Sequence, residues 1–357
     1  MSSPISHHQD NRLLHWFAIS AGAATFVLIW VGGLVTSHGA GMAVPDWPTT
    51  YGYNMFFFPI SKWAGGIFYE HSHRLVASAV GFLTIVLTVW IWLKDERHWL
   101  RCLAMIALGL VIIQGVLGGL RVTQMKDVIG VFHATLAQAF FSLVCAIALF
   151  TSRWWRRAEA GRMPVDGLDG VRYSFAVVTV LVFAQLILGA CMRHQHAGLA
   201  IPDFPTAYGA LWPDMSVESV ARYNQVRGEI TATNLITPVQ IGLQMAHRIL
   251  AFLILVSVAG LAGLVRRRCG RGALLTRLSL LWLGFILVQA TLGAATIWTN
   301  KAADIATLHV AVGAISLVTG VMLVLVASRY IVVRSQECRA SILDPGKISE
   351  GRAGVIA

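Results

Sequence analysis

The chain has 357 residues, 56% of them hydrophobic and only 13% charged, with a formal net charge of +11. Soluble domains carry about 25% charged residues, so water is excluded as the solvent for most of this sequence. The basic excess sits in short connections between apolar runs, which excludes nucleic acid and points to anionic lipid.

In chain order, uncharged runs cover residues 17–36, 75–93, 102–120, 128–152, 173–192, 249–265, 278–300 and 305–328. Each approaches or exceeds the roughly 20 residues that cross a hydrocarbon core as helix. The sixth is short, but neutral residues extend it back to Pro238, and proline suits a first helical turn. The pattern predicts an all-α integral membrane protein of eight transmembrane helices. Lys and Arg gather in alternate connections: Lys94, Arg97 and Arg101; Arg153, Arg156, Arg157, Arg162 and Arg172; Arg266, Arg267, Arg268, Arg271 and Arg277. By the positive-inside rule these face the cytoplasm, with both termini, and the long connections 37–72 and 193–237 face outside a cytoplasmic (inner) membrane. No small-residue cleavage site interrupts the first run, so it reads as a retained anchor. The five cysteines, Cys102, Cys145, Cys191, Cys269 and Cys338, have neither disulfide nor metal-site spacing, and only Cys191 lies near the outer face.

The sequence repeats itself. The segment 40–52, AGMAVPDWPTTYG, returns at 197–209 as AGLAIPDFPTAYG, at a constant offset of 157. Further on, His73-Arg74 matches His247-Arg248, Gln114 and Gly118 match Gln289 and Gly293, and His133 matches His309. The repeat unit holds an even number of helices, so the copies run parallel: two tandem four-helix bundles about a pseudo-twofold axis along the membrane normal. The domain reading is a cytoplasmic segment 1–14, a bundle 15–152, a cytoplasmic linker 153–172, a second bundle 173–330 and a cytoplasmic polar tail 331–357, expected to be disordered after about residue 335.

Of twelve histidines, only His73, His133, His247 and His309 survive the repeat alignment. His38, His71, His98, His194 and His196 have no partner and read as solvent or headgroup residues. The matched four open even-numbered helices and lie in one shallow layer, within the first turn or two. Ionisable groups at that depth are costly and mark function. Zinc needs three or four protein ligands, whereas two axial imidazoles suffice for an iron whose porphyrin supplies the other four nitrogens. Glycines 115, 118, 119 and 293 would make room for the macrocycle, and Arg74 and Arg248 stand placed to pair with its propionates. The copies differ at one informative place: Glu70 precedes His73 by three residues, where Gln244 precedes His247. Only the first copy has an acid–base group beside its site.

The Glu70-x-x-His73-Arg74 element, the helix starts at His133 and His309, the His247-Arg248 pair and the Pro-Asp loops resemble the haem A synthase family over residues 15 to 330. The resemblance implies oxidation of the C8 methyl of haem O to the formyl group of haem A, with the substrate haem at His73 and His133. It implies a resident haem b on His247 and His309, and a carboxylate at Glu70 that activity requires. Some family members carry a cysteine pair in the first outer loop; residues 37–69 contain none. Besides haem O and the lipid bilayer, an electron donor or acceptor, haem O synthase and a second copy of the chain are the candidate partners. Two other readings compete: a bis-histidine cytochrome that only passes electrons, which leaves the Glu70/Gln244 difference unexplained, and a transporter, whose helix breaks would lie near the midplane rather than in outer loops.

Overall fold

The computed structural model describes residues 12–157, 168–226 and 235–343, with side chains of 157, 168–169 and 330–343 left aside. Its helices are α1 (Arg12–Ser37), α2 (Gly65–Lys94), α3 (His98–Gln124), α4 (Asp127–Thr151), the short α5 (Arg153–Arg157), α6 (Leu168–His194), α7 (Val217–Val226), α8 (Pro238–Cys269), α9 (Leu274–Trp298) and α10 (Ala303–Leu343). All but α5 and α7 are long and apolar enough to cross a membrane, giving the eight expected spans. The chain is a multi-pass membrane protein. Large apolar residues on the outside of the spans, such as Phe82, Leu93, Val180 and Phe252, are exposed, as lipid-facing positions are. The capping box at Thr237 and Gln240 and Pro238 at the first turn start α8 where proline is tolerated.

Helix packing follows the repeat. In the first half α1 packs on α2, α2 on α3, α3 on α4 and α4 back on α1; in the second, α6, α8, α9 and α10 close the same ring. Between halves, α1 packs on α10, α4 on α6, and α4 on α10. Exchanging the halves turns the first of these contacts into the second and leaves the third unchanged, which fits the parallel pseudo-twofold arrangement. Each half has its own apolar core, one around Leu14, Val80, Leu100 and Ile147, the other around Phe175, Val258, Trp282 and Leu323. A small cluster of Ile29, Phe141 and Ala314 fills the seam.

Two boundaries differ from the sequence expectation. The helix carrying His73 begins at Gly65, because the polar turn between Tyr69 and the apolar run is buried against the loop, with Glu70 bonded to Val44 and His71 to Thr50, and stays helical. α10 continues as helix to Leu343, past the expected end near 330; the expected tail beyond 343, the N-terminal segment before 12 and residues 158–167 of the linker lie outside the described residues. At the arginine-rich end Asp95 gathers the connections: Arg97 donates to it at 2.7 and 2.8 Å, Arg156 at 3.3 Å. The described cysteines are all free.

Candidate functional site

The loop repeat is also a geometric repeat. In the first loop the Asp46 carboxylate accepts from the Tyr51 and Gly52 amides at 2.7 and 2.9 Å and from Thr49 Oγ1. In the second, Asp203 accepts from Tyr208 and Gly209 at 2.7 and 2.9 Å and from Thr206 Oγ1. Tyr51 and Tyr208 both adopt a left-handed backbone, φ 49° and 54°, followed by Gly52 and Gly209 at 76° and 79°, and each tyrosine hydroxyl donates back to the Ala43 or Ala200 carbonyl. A carboxylate gathering three donors is a strong local lock. Burial pushes the two carboxyls up, but these hydrogen bonds outweigh it and hold both below the ordinary 3.8.

Glu70 and Gln244 fasten these loops to the helices below. Glu70, 3% exposed, accepts the Val44 amide on Oε2 at 2.8 Å and Arg74 Nη2 on Oε1 at 2.8 Å. Gln244, equally buried, accepts the amide of Ile201, the residue matched to Val44, at 2.6 Å and donates to the Ile201 carbonyl at 3.2 Å. Arg74 also donates from Nη1 and Nη2 to the carbonyls of Asp46, Thr49 and Val44. Arg248 likewise bonds the carbonyls of Thr206 and Asp203 at 2.8 and 2.7 Å. The two arginines named as propionate contacts are thus engaged with the loops.

The four matched histidines occupy equivalent positions. His133 and His309 lie six residues, about 9 Å, below their helix starts, within the first two turns as expected, whereas His73 and His247 lie about 12–14 Å down, past the second turn. His73 and His133 interact electrostatically, as do His247 and His309, so each half brings one pair together. Each ring is half-buried, yet its Nδ1 is fully buried without a hydrogen-bond partner. Each also faces a glycine on the preceding span: a Cβ at Gly32 would meet His73 Cε1 at 3.0 Å, at Gly118 His133 at 3.5 Å, at Gly189 His247 at 3.4 Å, and at Gly293 His309 at 3.4 Å. Gln114 and Gln185 donate to the backbone carbonyls of His133 and His247 at 3.0 and 2.9 Å and hold those turns in place. Among the described residues no group of three or more His, Cys, Asp or Glu could hold a metal ion.

Four imidazoles at repeat-matched places with neither ring nitrogen hydrogen-bonded to protein leave a nitrogen free for a ligand, and this suits an iron that brings its own equatorial nitrogens. The residues fit a haem in each half. Sequence reasoning missed Gly32 and Gly189, which lie at the same offset of 157 and would have emerged from running the repeat upstream into the preceding span. It also misplaced two histidines. His71 is 1% exposed and pairs with Thr50 Oγ1 at 3.2 Å; His194 is buried and packs on Gly130 of α4. Both are structural core residues, made possible by loop and seam partners that no repeat comparison reveals. His38, His98 and His196 are exposed as expected.

A family model described as cytochrome oxidase assembly protein, COX15-CtaA, matches residues 15–321. Among curated relatives, the protein named Heme A synthase of Geobacillus kaustophilus is 26% identical over 308 residues, 84% of this chain and 86% of that protein. That of Lysinibacillus sphaericus is 28% identical over 203 residues, 56% and 64% of the two chains. That of Listeria monocytogenes serotype 4a is 25% identical over 287 residues, 79% and 85%.

Proposed function

The chain belongs to the COX15-CtaA family of cytochrome oxidase assembly proteins, and from that premise we propose that it is a haem A synthase, oxidising the C8 methyl of haem O to a formyl group by two successive oxidations. The observation that carries this reading is the set of four matched imidazoles, each with a buried, partnerless Nδ1 and each facing a glycine.

In this reading residues 15–152 form the substrate half and His73 and His133 hold the iron of haem O. Residues 173–330 form the resident half, where His247 and His309 hold haem b. When bound there, haem b supplies one-electron redox chemistry next to the substrate half. The facing glycines seat the imidazole rings, Trp47 fills the place beside Gly119, and the packed seam keeps the reacting methyl away from bulk water. Glu70 stands one turn from His73; Val44 N–H and Arg74 hold its two oxygens, and it takes the proton released at the methyl carbon while the electrons of each oxidation pass to an external acceptor. Gln244, an amide, holds the second loop equally well but cannot accept that proton. The arginine-rich end and both termini face the cytoplasm, which places both haem sites near the outer surface of the cytoplasmic membrane.

Expression in a host that makes haem O but lacks its own haem A synthase tests the proposal. Extracted pigments should contain haem A and haem B. Haem B with untouched haem O assigns the chain to electron transfer alone, and absence of pigment removes the haem sites.

A further inference from the structure

The histidine pairs account for iron but leave the porphyrin carboxylates without partners, since Arg74 and Arg248 turn their terminal nitrogens to the loop carbonyls. Two other cations stand at matched places. A Cβ on Gly41 of the first loop would lie 2.7 Å from Arg121 Nη2 and 3.0 Å from Nη1, so the guanidinium lies flat against that glycine. Gly198, matched to Gly41 at offset 157, has the Lys301 side chain over it, with Cδ at 4.0 Å.

Arg121 and Lys301 are not repeat equivalents. The counterpart of Arg121 is Thr296, near the end of α9, and that of Lys301 is Lys126. The two halves have reached the same place from different positions in sequence, as expected if a cation is required there. Arg121 acts electrostatically on both His73 and His133, and its Nε is buried without a partner. Neither side chain has a hydrogen bond or ion pair among the described residues. Lys301 follows Asn300 with both in the left-handed region, φ 63° and 52°, a costly conformation for residues with side chains. α10 starts two residues later, about 9 Å above His309. Burial and the neighbouring Arg193 push the Lys301 ammonium down from its ordinary value, as befits a cation held without its anion. Arg193 itself is taken, donating to the Gly33 carbonyl and Ser37 Oγ at 2.6 Å across the seam.

We propose that Arg121 and Lys301 are the carboxylate anchors of the two haem sites, each binding a propionate of the porphyrin in its own half. The inference rests on the haem reading above. A half-buried cation with no acceptor is unfavourable unless a ligand brings one, and a carboxylate group at the loop-facing edge of each porphyrin meets that need.

The test uses the full chain in detergent, exchanged with protohaem or with its dimethyl ester, and follows release of each pigment to apomyoglobin. With protohaem, Arg121→Gln should speed release from the His73/His133 half by roughly 10- to 100-fold, the loss of one charged hydrogen bond, and Lys301→Gln should do the same for the His247/His309 half only. Arg121→Lys should restore most of the difference. With the ester, variants and wild type should release alike. Unchanged rates with protohaem overturn the inference, as do equal losses with the ester or losses spread over both halves. A wild type that binds neither pigment sinks the haem reading, and this inference with it.

Discussion

Replacing Glu70 by Gln separates its two roles. The carboxylate lies in an ion pair with Arg74 at 2.8 Å, the side chains 5% and 9% exposed, and also accepts the Val44 amide. A hydrogen bond to a charged acceptor contributes about 1.5–3 kcal/mol, and a neutral amide oxygen in its place recovers about 1. Glu70 makes two such bonds and the amide keeps an acceptor for only one of them, so the net cost is about 2–5 kcal/mol, below the 5–15 kcal/mol typical of folded domains. Gln244 demonstrates the substituted geometry within the same molecule, and Arg248 stays in place there without a carboxylate. The variant should fold, hold both pigments and lose haem A formation by about 10²- to 10⁴-fold, the usual scale for a positioned proton acceptor. Pigment extraction from purified protein reads this as accumulated haem O beside normal haem B. A normal yield of haem A would refute the proton-handling role and leave Glu70 as a loop anchor; loss of both pigments would show that the anchor alone sustains the site.

Gly32→Val places branched carbon where even a Cβ lies 3.0 Å from His73 Cε1; substrate-half pigment should fall sharply, while Gly118→Ala, at 3.5 Å, should leave the spectrum intact. Asp46→Asn removes one of the charged acceptor oxygens that lock the first loop, and limited proteolysis should cut that loop faster while sparing the second. The folded-state carboxyls of Asp46 and Asp203 are depressed below 3.8, so their stabilisation is present in full above the unfolded value and lost as pH falls through the lower folded one. Haem retention should accordingly be flat between about pH 5 and 8 as far as these loops are concerned, and a loop transition near neutrality would contradict the assignment.

The eight spans were legible because lipid demands length and apolarity, which composition records directly. The site was legible because duplication marks which histidines matter: without the matched pairs, His71 and His194 would have looked as eligible as His73. What the repeat could not reveal is anything one half does alone or the halves do together. Arg193 crosses from α6 to α1, His194 packs into α4, and Arg121 and Lys301 converge on matched glycines from unmatched positions. The depth of His73 was underestimated because the aromatic, uncharged stretch 65–69 reads equally as loop or helix until packing decides. The loop engagement of Arg74 and Arg248 depends on backbone carbonyls, which carry no sequence signature.

The central claim is that paired imidazoles in each half ligate iron. Spectra of the purified, reduced chain should display low-spin ferrous haem bands. Replacing His247 and His309 together should abolish the haem B fraction, and replacing His73 and His133 should abolish haem O and haem A while haem B persists. Undiminished pigment in both double variants would contradict the account.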